Sequence, residues 1–145
     1  MTTNHESEEH RERLRIVVVG GGFAGVWSAL SATRHLDDRH AGGTLLSEVE
    51  VVLISVDEYL TIRPRLYESD VRDLRVPLDS LLSPVGVRRV EGRVTEIDAL
   101  ARRVTVLVGG RLGTLSFDRL VLAAGSQIDL PSLPGLTEHA FTVDT

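Results

Sequence analysis

Gly20, Gly22 and Gly25 stand at the spacing G-x-G-x-x-G inside RIVVVGGGFAGVWSAL, residues 15–30. That spacing suits the recognition of a diphosphate. Where a strand hands over to a helix, the first glycine permits a tight turn, the second lets backbone approach a pyrophosphate, and the third lets helix and strand pack closely. The N–H groups of the helix's first turn would bind the anion, each hydrogen bond to a charged group contributing roughly 1.5–3 kcal/mol. The helix dipole adds only ~0.3–1 kcal/mol, so the amides dominate. Phe23 and Ala24 belong to the same turn and join the glycines as cofactor-binding positions, although the rings of Phe23 and Trp27 are expected to pack rather than to stack on a base. The competing reading is a glycine-rich turn with no guest.

Other chemistries drop out by residue type. The chain contains no lysine, which removes a Walker-type phosphate loop, a Schiff base and the Tyr-x-x-x-Lys pair. It contains no cysteine either, and so no disulfide, thiolate nucleophile or redox pair. His5, His10, His35, His40 and His139 show no metal-ligand spacing, so no metal is expected. No Ser/His/Asp set stands out, and no catalytic residue is assigned.

The elements that would position the glycines follow from the hydrophobic pattern. Leu14–Val19 is a continuous apolar run suited to a strand covered on both faces. Phe23–Leu36 has helical spacing, with Val26, Ala29, Leu30, Thr33 and Leu36 on one face. After a polar connection, Asp37–Ser47, the run Val49–Val56 predicts a second strand, completing a βαβ unit with the strands side by side. Asp57–Val76 reads as a long loop with at most a turn of helix, and Pro77–Leu82 as a short helix. Val87–Ile97, Arg103–Val108 and Leu112–Phe117 read as an antiparallel meander. Leu120–Ala124 resembles another buried central strand, and Leu130–Gly135 a loop. A dinucleotide site also needs a partner for the adenosine ribose at the tip of the second strand. That position falls at Ser55, with Asp57 two residues on.

The 145 residues carry a formal charge of -5, with 26% charged and 42% hydrophobic residues, a balance suited to one domain that does not bind nucleic acid through charge. Residues 1–13 are expected to be a disordered polar tail without a secretory signal. No run of 18 apolar residues suggests a membrane segment, and the cytoplasm is the expected compartment.

Taken together, RIVVVGGGFAG, VVLISVDEYLTIRPRLYE, VEGRVTEID and FDRLVLAAGSQIDLPSLPGLTEHAF resemble the FAD-binding part of the two-dinucleotide-domain flavoprotein oxidoreductases, most closely type II NADH dehydrogenases. The resemblance runs from Leu14 to the end. It implies an α/β, Rossmann-like FAD/NAD(P)-binding domain over residues 14–145, three-layered, with a central parallel sheet and an antiparallel β-meander, and incomplete. It also implies FAD with its pyrophosphate at Gly20–Gly25, the backbone of Val94 near the adenine, and Ala124 and Gly125 close to the FAD where the chain leaves the sheet. Tyr59–Tyr67 would run toward the flavin, making Arg63 and Pro64 candidates for its surroundings, with a solvated loop arginine the equal alternative for Arg63. The family commonly has Asp or Glu where this chain has Ser55, and Ala-Thr-Gly where it has Ala123-Ala124-Gly125. The lack of cysteine disfavours the glutathione-reductase branch.

The activity so implied is hydride transfer from NAD(P)H through FAD to a quinone or similar acceptor, with the complete enzyme peripheral at a membrane. A C-terminal half or a second polypeptide would supply the NAD(P)H domain, and the 145 residues alone are expected to be inactive. The alternatives are a non-catalytic module binding FAD, NAD or ADP, and an inactive fragment.

Overall fold

In the computed structural model, which describes residues 13–38, 49–62, 74–126 and 132–139, the apolar run Leu14–Val19 forms strand β1 and Phe23–Asp38 forms helix α1. Val49–Ser55 is β2, parallel to β1, with Leu14 opposite Val49 and Val19 opposite Ile54. The expected βαβ unit is therefore present. Two further strands complete a parallel sheet: β5 (Arg88–Glu91) beside β2 and β9 (Arg119–Leu122) beside β1, in the order β5-β2-β1-β9. The meander consists of β6 (Arg93–Asp98), β7 (Arg103–Val108) and β8 (Arg111–Ser116).

Alternation along β1 and β2 assigns their side chains to two cores. Val18, Val51 and Leu53 face α1, meeting Val26 and Ala29, together with Leu78 and Leu82 of the short helix α2 (Leu78–Leu82). Val17, Val19, Val52 and Ile54 face the other way and meet Val104, Val106 and Phe117. Helices, parallel sheet and meander thus form three layers, and both faces of the central strands are dry, which is why their sequences are apolar throughout. The helical face expected on α1 is the one that packs: Val26, Ala29 and Thr33 are buried, and Leu30 and Leu36 pack at the core's edge.

Four sequence expectations are corrected. Val87–Ile97 is not one strand; Gly92 divides it into β5 in the parallel sheet and β6 in the meander. The Gly92 N–H donates to the Ser55 carbonyl at 2.9 Å, and a Cβ there would sit 2.8 Å from Val106 Cγ1 and 2.9 Å from the Leu107 carbonyl oxygen. Only glycine fits where one sheet passes so close to the other. Within Asp57–Val76, read as loop, β3 (Tyr59–Thr61) and β4 (Arg75–Pro77) pair antiparallel. β9 is not central: among the described residues it pairs only with β1, and Leu122 is 66% exposed. Phe23 and Trp27 do not pack. One helical turn apart, they lie on the face of α1 turned away from Val26, Ala29 and Thr33, and both are exposed. A one-turn helix, α3 (Leu136–His139), follows the proline-rich loop. The first twelve residues, most of the Asp37–Ser47 connection, and Arg63 with Pro64 lie outside the described residues. Among the described residues no helix is long and apolar enough to cross a membrane.

Candidate functional site

A cavity of about 880 Å³ opens at the carboxyl ends of the parallel strands. This is where ligands bind in open α/β sheets, in the crevice outside the carboxyl ends of the strands. Its floor is the glycine turn. Gly20 has φ +116°, with its N–H donating to the Ile54 carbonyl at 2.8 Å; a Cβ on it would lie 2.1 Å from the Ala123 carbonyl oxygen. A Cβ on Gly25 would lie 1.9 Å from the Gly20 carbonyl oxygen, so this glycine lets α1 sit against the end of β1.

Gly21, outside the G-x-G-x-x-G spacing, is equally constrained: a Cβ there would approach Ser55 Oγ at 2.3 Å and Leu78 Cδ1 at 2.9 Å. Gly22 differs. It lines the cavity, and a Cβ on it would meet nothing within 4 Å. Gly20, Gly21 and Gly25 are thus demanded by protein atoms, whereas Gly22 faces open space.

The Gly22 carbonyl accepts the first bond of α1, from the Val26 N–H at 2.9 Å. The N–H groups of Phe23, Ala24 and Gly25 consequently have no acceptor within the helix. No acidic residue occupies this first turn. The turn presents donors and no negative charge to the cavity, which fits an anionic diphosphate.

Around this floor stand Ser55, Asp57, Val94, Ala124 and Gly125, each expected at the site and each lining the cavity; Gly20, Gly22, Phe23 and Ala24 line it too. Gly25 lies beneath, and Arg63 is outside the described residues. Ser55 is 7% exposed and its Oγ accepts the Asp57 N–H at 3.3 Å. Asp57 itself is exposed on the rim, so the hydroxyl is partly engaged and the carboxylate is the accessible acceptor.

A further wall comes from β3 and β4: the resemblance had Tyr59–Tyr67 running toward the flavin, but the pairing of the two strands and the place of Arg75 were not read from the sequence. Register pairs Tyr59 with Pro77, Leu60 with Val76 and Thr61 with Arg75. The pleat turns Leu60 and Val76 toward the helical core, and Tyr59, Thr61 and Arg75 line the cavity. The Arg75 guanidinium lies 4.5 Å from the centroid of the Tyr59 ring. Arg93, directly after Gly92, adds a second cation to the lining. The alternation Tyr-Leu-Thr was the available signal, too short beside prolines and charges to read as a strand. No cluster of three or more potential metal ligands exists among the described residues.

Comparison with known proteins places this geometry. Residues 14–145 match the pyridine nucleotide-disulphide oxidoreductase family. An NADH dehydrogenase-like protein of Mycobacterium tuberculosis is 47% identical over 131 residues, covering 90% of this chain and 31% of that protein. A type II NADH:quinone oxidoreductase of Staphylococcus aureus is 27% identical over 139 residues, covering 92% of this chain and 32% of that protein. The chain thus spans about a third of the length of these curated relatives. The sulfide:quinone oxidoreductase of Aquifex aeolicus superposes with a TM-score of 0.71 at 24% identity, over 91% of this chain and 29% of that one, a likeness of fold.

Proposed function

Because this chain belongs to the pyridine nucleotide-disulphide oxidoreductase family, we propose that its cavity binds FAD and that the chain is the FAD-binding portion of an NAD(P)H-dependent oxidoreductase delivering electrons to a quinone or similar acceptor. One observation carries the reading: in a turn whose other glycines are pressed against protein atoms, Gly22 opens onto the cavity beside the unpartnered first-turn amides. The likeness of the four sequence segments to FAD-binding parts supports FAD over NAD, and the names of the relatives support NADH as donor and quinone as acceptor.

The flavin, when bound, supplies two-electron chemistry, taking a hydride and passing electrons on. The chain's own residues do the holding. The amides of Phe23, Ala24 and Gly25 bind the diphosphate, and Asp57, with Ser55 beside it, accepts from the ribose hydroxyls. The backbone of Val94 would lie near the adenine, as the resemblance implies, and Ala124 and Gly125 line the cavity just past the end of β9. Gly125, at φ +81°, turns the backbone in a way that a side chain would strain.

The test is direct. The purified 145-residue protein is titrated with FAD, NAD and ADP by calorimetry, alongside flavin absorbance. Saturable FAD binding tighter than NAD binding is expected. No heat with any of the three overturns the reading, and NAD binding tighter than FAD binding replaces it with a nicotinamide-dinucleotide module.

A further inference from the structure

We infer that Arg75, stacked on Tyr59, is a specificity-determining cation that selects ligands bearing a diphosphate. The inference rests on the dinucleotide reading above and adds to it a residue from a segment that carries no nucleotide-binding motif.

The geometry starts at the base of the β3–β4 pair. The Leu78 N–H donates to the Glu58 carbonyl at 2.8 Å, and Leu78 Cδ1 is the atom that a Cβ on Gly21 would meet at 2.9 Å. The Tyr59–Pro77 end of the pair is therefore anchored against the glycine turn. Arg75 lies two residues further out, opposite Thr61, a strand rise of roughly 7 Å away. Its guanidinium does not stay over its own pair. It lies above the ring of Tyr59, its diagonal neighbour in the pair, 4.5 Å from the centroid, and Tyr59 belongs to the anchored end.

Tyr59 and Arg75 line the same cavity as Gly20, Gly21 and Gly22. A guanidinium held over an aromatic face gives up less rotamer freedom when it meets an anion, because the stack has already ordered it. Its planar fork suits bidentate contact with phosphate oxygens. The floor of the cavity offers neutral amide donors; the wall offers a fixed positive charge. A diphosphate between them is bound from both sides, whereas a riboflavin or an adenosine gains nothing from the cation.

The experiment compares the parent with Arg75→Gln and Tyr59→Leu, using FAD, ADP, adenosine and riboflavin as probes, in calorimetry for the first two and ligand-observed NMR for the others. Arg75→Gln is expected to weaken FAD and ADP about tenfold, the magnitude of one charge-assisted hydrogen bond, leaving adenosine and riboflavin unchanged. It should also flatten the dependence of FAD affinity on salt. Tyr59→Leu, which keeps the charge and loses the stack, is expected to weaken FAD about threefold. Arg75 is exposed, so thermal melting of the Gln variant should match the parent. FAD and ADP affinities unchanged in Arg75→Gln overturn the inference while leaving the dinucleotide site standing; equal losses for all four probes also overturn it, by assigning Arg75 a purely structural role. If the parent binds neither FAD nor ADP, the dinucleotide reading fails and takes this inference with it.

Discussion

Two glycines three residues apart, Gly22 and Gly25, are required for opposite reasons, and alanine separates them. At Gly25 a methyl group would collide with the Gly20 carbonyl oxygen at 1.9 Å, a backbone atom that cannot step aside without moving β1. Gly25→Ala is expected to destabilise the fold by about 3 kcal/mol, read from urea melts. At Gly22 the backbone is not left-handed and the Cβ direction is empty. Gly22→Ala should therefore melt at the parent's temperature or slightly above it, since a compatible glycine replacement stabilises by about 0.4–1 kcal/mol. Its FAD affinity should nonetheless fall at least tenfold, because the methyl occupies the place of the phosphate. A Gly22→Ala protein that keeps parental affinity would mean that no ligand approaches this backbone. The motif G-x-G-x-x-G made both glycines legible in the sequence but gave no means of telling their duties apart; the proximity of Gly21 to Ser55 was invisible, since it depends on where the tip of β2 comes to rest.

The elements are held at the end remote from the cavity by a clasp on Glu50. Its carboxylate accepts from Arg15 Nε and from Arg88 Nε, each at 2.6 Å, tying β1, β2 and β5 together. Arg15 reaches on to the carbonyl and hydroxyl of Ser116, and its backbone exchanges hydrogen bonds with Asp118. Burial pushes the Glu50 carboxyl up, but the guanidiniums of Arg88 and Arg15 outweigh it and hold the group below its ordinary value. A lowered folded-state pKa contributes stability that is present above the unfolded value of about 4.3 and is lost as the pH falls through the folded one. Glu50→Gln is expected to cost about 1–2 kcal/mol at pH 7, with the gap from the parent narrowing as acid protonates the carboxylate. A gap that persists in acid would show that the charge is not what holds the clasp. The long apolar runs of β1 and β2, and the spacing on α1, were plain in the sequence because burial on both faces or along one stripe leaves a periodic trace. Gly92 left none: the residues on either side keep a strand-like pattern, and only the close pass of Val106 reveals a change of sheet. Three-residue strands such as β3 and β4 alternate for less than two full periods, too briefly to announce themselves.

At the scale of the molecule, the cavity belongs to no single element. Its lining comes from the ends of β1 and β2, from the β3–β4 pair, from the Gly92 junction and from the segment after β9, so it exists only when all three layers are assembled. A ligand that bridges these parts binds the folded chain and not the unfolded one. FAD at a hundred times its dissociation constant is therefore expected to stabilise the protein by about 2.7 kcal/mol. This should appear as a rise of several degrees in melting temperature that riboflavin does not reproduce. A melting curve indifferent to FAD would disconnect the cavity from the nucleotide.

The pairing of β1 with β9 also sets a timetable. Arg15, whose N–H donates to the Asp118 carboxylate and whose carbonyl accepts the Asp118 N–H, lies 103 residues before it, so the strand bearing the glycine turn leaves the ribosome long before its neighbour does. At about 5–20 residues per second, translation leaves that edge of the nascent chain uncovered for roughly 5–20 s, with its amides and carbonyls open to any other extended peptide. Slower synthesis is then expected to lower, and chaperone supply to raise, the share of the protein that emerges soluble.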